Sequence, residues 1–235
     1  MEPTDKNRRA WDEVHKRRAV AMQGKLGLPP VVKRALGDLE GRRVLNLQCA
    51  TGESAIELAE LGALVTGVDI SPEALDVARA ARPDIAWVEG DVHDLPSELK
   101  RGRFDLVYTA EGVLAWLLDL DAWASGVVAA LRSGGDLLLY EEHPVSMCVD
   151  ASGRWREDYF DNDPHVYRGW SHFELTGSPA TEEKVERFWR LGQIVTALAR
   201  AGLVLRQLEE YPGTSSWRRL SSRLPGTYIV SARKP

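Results

Sequence analysis

From Arg43 onward the chain alternates short runs of β-branched and leucine-rich residues with amphipathic stretches of helical period, and this alternation limits its fold more than any other feature. Strands joined through helices lie parallel, and the connecting helices cover the sheet they leave. The predicted strands are 44–48, 64–68, 85–89, 104–109 and 136–141, with helices over 54–61, 72–82 and 121–131. Pro72 suits a first helical turn, and Ser71 before it suits an N-cap. A chain of 235 residues is long enough for one α/β core, so a single domain over 1–235 is expected, with 1–40 forming an N-terminal helical cap.

After the fifth strand the regular alternation stops. Residues 144–181 carry Trp155, Tyr159, Phe160, Tyr167, Trp170 and Phe173 among polar neighbours, which reads as an aromatic-rich insertion contributing to a substrate pocket. A helix is expected over 183–200, with Phe188, Leu191, Ile194, Val195 and Leu198 on one face and a stop at Gly202. Two last strands follow at 203–210 and 227–232, the final one antiparallel. Their connection, 211–225, is long enough for an irregular lobe around Trp217.

The net charge of -5 gives no global attraction to nucleic acid, and the basic residues of 8–18 are interleaved with Asp12 and Glu13, as on a solvated helix face. Only Cys49 and Cys148 are present, without metal-ligand spacing, so neither a disulfide framework nor a zinc site is expected, and His165 and His172 lack recognisable ligand partners. The charged N-terminus lacks the apolar core of a signal peptide, and no apolar run is of bilayer length, so a cytoplasmic monomer or homodimer without membrane contact is expected.

In an open parallel sheet, ligands bind outside the carboxyl ends of the strands. The unusual polar residues of this chain fall at those ends. The first strand runs into small residues at 49–52, where the backbone can approach a ligand. The second ends in Asp69, suited to accept two ribose hydroxyls, and the third in Gly90, Asp91 and Val92, where Asp91 suits an adenine amine. The turn lacks the Gly-x-Gly-x-x-Gly spacing that sets a helix N-terminus against a pyrophosphate, which disfavours a dinucleotide.

These residues resemble the class I S-adenosylmethionine-dependent methyltransferases, and within them a branch whose first motif reads Leu-Gln-Cys-His-Phe-Gly. Here 47–52 reads Leu-Gln-Cys-Ala-Thr-Gly. The resemblance extends through 65–72 (Val-Thr-Gly-Val-Asp-Ile-Ser-Pro), 104–109 (Phe-Asp-Leu-Val-Tyr-Thr), 131–135 (Leu-Arg-Ser-Gly-Gly), 141–144 (Glu-Glu-His-Pro) and 192–198 (Gly-Gln-Ile-Val-Thr-Ala-Leu). It also reaches the first helix at Trp11, Asp12, Glu13 and His15. It implies a Rossmann-like, mostly parallel sheet of seven strands with helices on both faces. It further implies S-adenosylmethionine as cofactor, adenosylhomocysteine as product and a small molecule as methyl acceptor. The implied cofactor residues are Trp11, Asn46, Gln48, Ala50, Gly52, Asp69, Ile70, Asp91, Val92 and Ala110. The broader superfamily carries an acidic residue where Asn46 stands, and glycines where Gln48 and Ala50 stand.

Methyl transfer from a sulfonium is an in-line displacement, so positioning in a dry site does most of the work, and a base helps when the acceptor carries a proton. His143, Glu142 and Glu111, which follow the fifth and fourth strands, are the candidate bases, and no metal is expected. Two other readings share the sheet: a non-catalytic nucleoside-binding protein, and a cyclase or decarboxylase that uses the sulfonium electrostatically.

Overall fold

The computed structural model describes residues 2–18, 27–150, 153–170, 180–213 and 223–235. Its centre is a seven-stranded sheet built from β1 (Arg43–Leu47), β2 (Leu64–Asp69), β3 (Ala86–Glu89), β4 (Phe104–Ala110), β5 (Leu131–Glu142), β8 (Val204–Pro212) and β9 (Pro225–Arg233). Their spatial order is β3-β2-β1-β4-β5-β9-β8. The first five strands run parallel, and β9 runs antiparallel to both neighbours, β5 and β8. The order reverses between β1 and β4, which opens a crevice beyond their carboxyl ends.

The central strands are apolar at nearly every position because both faces are covered. Adjacent residues point to opposite faces: Val44, Leu106 and Leu138 enter one core with Val32, Leu58 and Leu75, while Leu45, Val107 and Leu139 enter the other with Trp123, Val127 and Leu198. The first group packs against α2 (Pro30–Leu36), α3 (Glu53–Glu60) and α4 (Pro72–Ala81). The second packs against α5 (Leu120–Ala130) and α7 (Leu191–Arg200). The Ser71 hydroxyl accepts from the Ala74 N–H, so α4 begins with the cap its sequence announces.

The first helix, α1 (Pro3–Arg18), lies over the carboxyl edge of the sheet and is tied there by polar groups. The Asn7 side-chain amide donates to the Val185 carbonyl at 2.8 Å and accepts from its N–H at 2.6 Å, imitating a strand partner. Glu13 accepts from the N–H groups of Thr181 and Glu182, and the Ser71 hydroxyl donates to Asp12.

The sequence reading departs from the structure after β5. Glu183–Glu186 forms a strand, β7, paired antiparallel with β6 (His165–Arg168), and α7 begins only at Leu191. Val185 turns its backbone to Asn7, and the Gln193 side chain accepts from the Arg190 N–H to close the start of α7. The apolar spacing that suggested one helix therefore joins two elements. The insertion also contains a short helix, α6 (Pro144–Met147), and it leaves Trp155 and Phe160 at 62% and 71% exposure. β5 begins at Leu131, earlier than expected, and its pairing with β4 shifts register between the Phe104–Leu131 and Leu106–Asp136 pairs. Phe173, His172 and Trp217 lie outside the described residues. Among the described residues, no helix is long and apolar enough to cross a membrane.

One packing contact sets the position of the crevice floor. The Trp87 ring is wedged against Gly52 and Gly67, where an added Cβ would come within 2.6 and 2.5 Å of it respectively. Gly67→Ala is expected to destabilise the fold by about 2 kcal/mol through overpacking, read as a lower denaturant midpoint with an unchanged slope. Wild-type stability would show that the ring relaxes freely.

Candidate active site

The turn after β1 is strained where it meets the crevice. Gln48 and Ala50 hold φ of 52° and 47°, in the left-handed region that L side chains disfavour, and Glu111 after β4 does the same at 69°. These are the only non-glycine residues with positive φ among those described, and all three line one cavity. Strain of this kind persists where surrounding contacts over-determine the backbone. Those contacts are present: the Ala50 N–H donates to Asp69 Oδ2 at 2.8 Å, the Cys49 N–H to the Val68 carbonyl, and the Gln48 side-chain amide to the Val113 carbonyl at 3.0 Å.

Asp69 joins two turns. Its other oxygen, Oδ1, accepts from the Ser71 N–H at 2.9 Å. Burial raises its carboxyl above the ordinary range, against the N–H donors of Ser71 and Ala50. One strand further, Asp91 Oδ1 accepts from the N–H and from Nδ1 of His93, at 2.9 and 2.7 Å. His93 Nε2 accepts from the Leu118 N–H at 3.1 Å, which assigns the proton to Nδ1 and fixes the ring. Although burial pushes the Asp91 carboxyl up, the His93 bonds outweigh it and hold the group below the usual value.

The cavity between these strand ends encloses about 530 Å³, a size suited to a cofactor with a small acceptor. Trp11, Asn46, Gln48, Ala50, Asp69, Ile70, Asp91, Val92, Ala110, Glu111 and Glu142 all line it, so the structure brings together most residues singled out from sequence. Two are absent from the lining. Gly52 sits behind the turn, where its φ of 89° and the Trp87 ring explain the missing side chain. His143 is buried outside the cavity: Nδ1 accepts from the Val145 N–H as the N-cap of α6, and Nε2 lies 2.8 Å from Glu210. Its side chain is committed to that cap, and burial lowers its pKa against the pull of Glu210.

Among the described residues, the aromatic side chains that line the cavity come from outside the insertion. Trp11 of α1, Trp116 of the 3₁₀ turn Leu114–Trp116, and Phe188 and Trp189 before α7 line the cavity, whereas the described residues of 144–181 contribute Pro144 and Met147. Trp170 backs this wall, its ring centroid 4.6 Å from that of Trp11. Sequence reasoning also missed Glu141 and Tyr228. Glu141 accepts from the N–H groups of Gly112, Val113 and Leu114 and so shapes the loop after β4, while burial pushes its carboxyl up to about 7. Burial with the nearby charges of Glu53 and Glu142 pushes Glu111 up to about 7 as well.

The Asn46 side chain provides the clearest test of what the cavity fits. Its amide N–H donates to the carbonyls of Leu47 and Tyr108, while its Oδ1 is buried without a hydrogen-bond partner. A buried acceptor left unpaired costs about 1–3 kcal/mol, so Oδ1 is suited to receive a donor from a ligand. The ammonium of a methionine moiety is such a donor. No group of three or more His, Cys, Asp or Glu among the described residues could hold a metal ion.

Comparison with known proteins agrees with this geometry. A family model described as a methyltransferase domain matches residues 44–135. An uncharacterized methyltransferase of Synechocystis sp. is 38% identical over 107 residues, which are 45% of this chain and 50% of that protein, so the match spans half of that relative's length. The ubiquinone biosynthesis O-methyltransferase of Xanthomonas euvesicatoria pv. vesicatoria is 30% identical over 209 residues, covering 84% of this chain and 78% of that protein. The crystal structure of an S-adenosylmethionine dependent methyltransferase from Mesorhizobium loti superposes with a TM-score of 0.66 at 28% identity, covering 87% of this chain and 96% of the other. With its strand order, its crevice at the reversal point and relatives covered over most of their length, the chain belongs to the class I S-adenosylmethionine-dependent methyltransferases.

Proposed function

We propose that this protein transfers the methyl group of S-adenosylmethionine to a small-molecule acceptor by direct displacement, with Glu111 as the general base. The observation that carries this reading is the left-handed Glu111 at the mouth of the β4 turn, lining the same cavity as Asp69 and Asp91, with its carboxyl raised to about 7. A carboxyl titrating there can accept a proton near neutral pH. When bound, the cofactor supplies an electrophilic methyl carbon on sulfur.

The other roles follow from reach and chemistry. Asp69 accepts the ribose hydroxyls through the lone pairs that Ala50 and Ser71 leave over. Asp91 takes the adenine amine on Oδ2, because both His93 bonds fall on Oδ1. Val92 and Ile70 flank the base, and Asn46 Oδ1 with the Ala110 backbone receives the methionine ammonium. Gln48 and Ala50 pass the methionine chain, and Trp11 closes the cavity from α1. Glu142 assists Glu111 at the acceptor end. The motif Leu47-Gln48-Cys49 supports reading the chain as a member of the branch that carries this sequence after β1. Cytoplasmic location, and action as a monomer or homodimer on acceptors other than nucleic acid, belong to the same reading.

The test uses the full chain, S-adenosylmethionine labelled with deuterium in the methyl group, and a small-molecule extract. Mass spectrometry is expected to find an acceptor carrying one labelled methyl and an equal amount of adenosylhomocysteine. Cofactor that is bound and consumed without transfer of label would overturn the proposal.

A further inference from the structure

The loop between β4 and α5 carries the 3₁₀ turn with Trp116, and polar side chains grip it at both ends. At its start, Glu141 accepts from the N–H groups of Gly112, Val113 and Leu114. At its end, His93 Nε2 accepts from the Leu118 N–H at 3.1 Å. The carbonyls of the same loop anchor the segment before α7. Ala115 accepts from the Arg187 N–H at 2.8 Å, Leu117 from Trp189 Nε1 at 2.8 Å, and Leu118 from the Arg187 guanidinium at 3.1 Å. Trp189 is therefore held by a loop that His93 holds in turn.

The other nitrogen of the same ring serves the opposite half of the cavity. Nδ1 lies 2.7 Å from Asp91 Oδ1, and Asp91 and His93 both line the cavity. With its proton on Nδ1, one neutral imidazole satisfies both neighbours, donating to Asp91 and accepting from Leu118. The ring is rigid, so a shift at either partner is felt at the other. The His93 backbone N–H also donates to Oδ1, at 2.9 Å, so both His93 bonds fall on one carboxylate oxygen.

We propose that His93 is a positioning residue that couples the two halves of the site: it aims Asp91 at the 6-amino group of the cofactor's adenine and, through Leu118, passes that contact to the loop that carries Trp116 and holds Trp189. This deepens the methyl-transfer reading above and rests on its assignment of Asp91 to adenine. Bound adenine fixes the carboxylate, the carboxylate fixes the ring, and the ring fixes the Leu118 N–H. The aromatic wall on the acceptor side is thereby ordered once the cofactor is in place.

The experiment titrates the full chain calorimetrically with adenosylhomocysteine and with its 6-deamino counterpart, which carries purine in place of adenine. Hydrogen exchange at the Leu118 amide is followed with and without saturating adenosylhomocysteine. The wild type is expected to prefer adenosylhomocysteine about tenfold, and to exchange several-fold more slowly at Leu118 when saturated. His93→Phe should lose both effects. His93→Asn should keep the preference, because its amide N–H can stand in for Nδ1–H, and lose the slowing, because it is too short to reach Leu118. A merely structural role would weaken both ligands alike and leave their ratio untouched. Equal affinity of the wild type for the two compounds, a preference that survives in His93→Phe, or slowing that survives in His93→Asn would overturn the proposal while leaving methyl transfer standing. A folded wild type that binds neither compound would instead overturn the reading on which the proposal rests.

Discussion

Asp69→Ala is expected to weaken adenosylhomocysteine binding by roughly 3 kcal/mol, about a hundredfold, if the proposed pair of charge-assisted hydrogen bonds to the ribose is lost. The same change orphans the N–H groups of Ala50 and Ser71, which Asp69 holds at 2.8 and 2.9 Å. The first turn thereby loses the contact that keeps Ala50 at its strained φ of 47°. A further loss of about 2 kcal/mol in folding stability follows from the unsatisfied donors. Asp69→Asn keeps the volume but turns an NH₂ group toward one of the two N–H donors, so it should recover only part of either quantity. Calorimetry and denaturant unfolding measured on the same preparations separate the two effects. Unchanged affinity in a folded Asp69→Ala variant would remove the ribose from this carboxylate.

Glu111→Gln is expected to lower kcat/KM for the acceptor by about 10²- to 10³-fold, the usual worth of a positioned base. In the parent, kcat/KM should rise with pH and level off above about 7, the value to which burial, Glu53 and Glu142 push this carboxyl. The variant should lack that limb. Tyr108 and Tyr140, which also feel Glu111, titrate above their ordinary values because of burial and do not enter this range.

Stability should move the other way. A carboxyl whose folded pKa lies above its unfolded value holds its proton in the folded state through that window, so stability falls as pH rises from about 4.5 to about 7. Removing the charge should therefore make Glu111→Gln more stable than the parent above pH 7, by about 2 kcal/mol after allowing for the solvent that reaches this half-buried group. Lower activity with higher stability at pH 8, and no stability difference at pH 4, is the signature of a base held against its own solvation. A variant with reduced activity, an unchanged pH profile and reduced stability would mark Glu111 as a packing residue.

That the candidate cofactor residues line one cavity was legible because they sit at consecutive strand ends, where fold topology converts order in sequence into proximity. Asp69 ends β2 and Asp91 follows β3, and the turn after β1 lies between them and β4. Two residues singled out in that region lie outside the cavity lining. Gly52 has a φ of 89° and packs against the Trp87 ring. His143 precedes a proline at the start of a helix, the same pattern as Ser71 and Pro72, and its Nδ1 accepts from the Val145 N–H as the cap of α6.

The acceptor half was less legible, for a geometrical reason. Trp11, Trp116, Phe188 and Trp189 come from three distant segments, and nothing local in the sequence says that α1, the 3₁₀ turn and the stretch before α7 converge. The conspicuous aromatics of 144–181 drew attention instead, yet Trp155 and Phe160 face solvent and Trp170 supports Trp11 from behind. Around 183–200 the helical spacing was genuine only from Leu191. Phe188 matched that spacing but serves the cavity, and the strand at Glu183–Glu186 exists because Asn7 and β6 supply it with partners from elsewhere in the chain.

The central claim, that the cavity beyond β1 and β4 is built for an adenosyl-methionine ligand, is tested most directly by calorimetric titration of the wild-type chain with adenosylhomocysteine. Saturable binding at one site per chain, abolished or greatly weakened in Asp69→Ala, is the predicted result. A folded wild-type protein that takes up neither adenosylhomocysteine nor S-adenosylmethionine would contradict it.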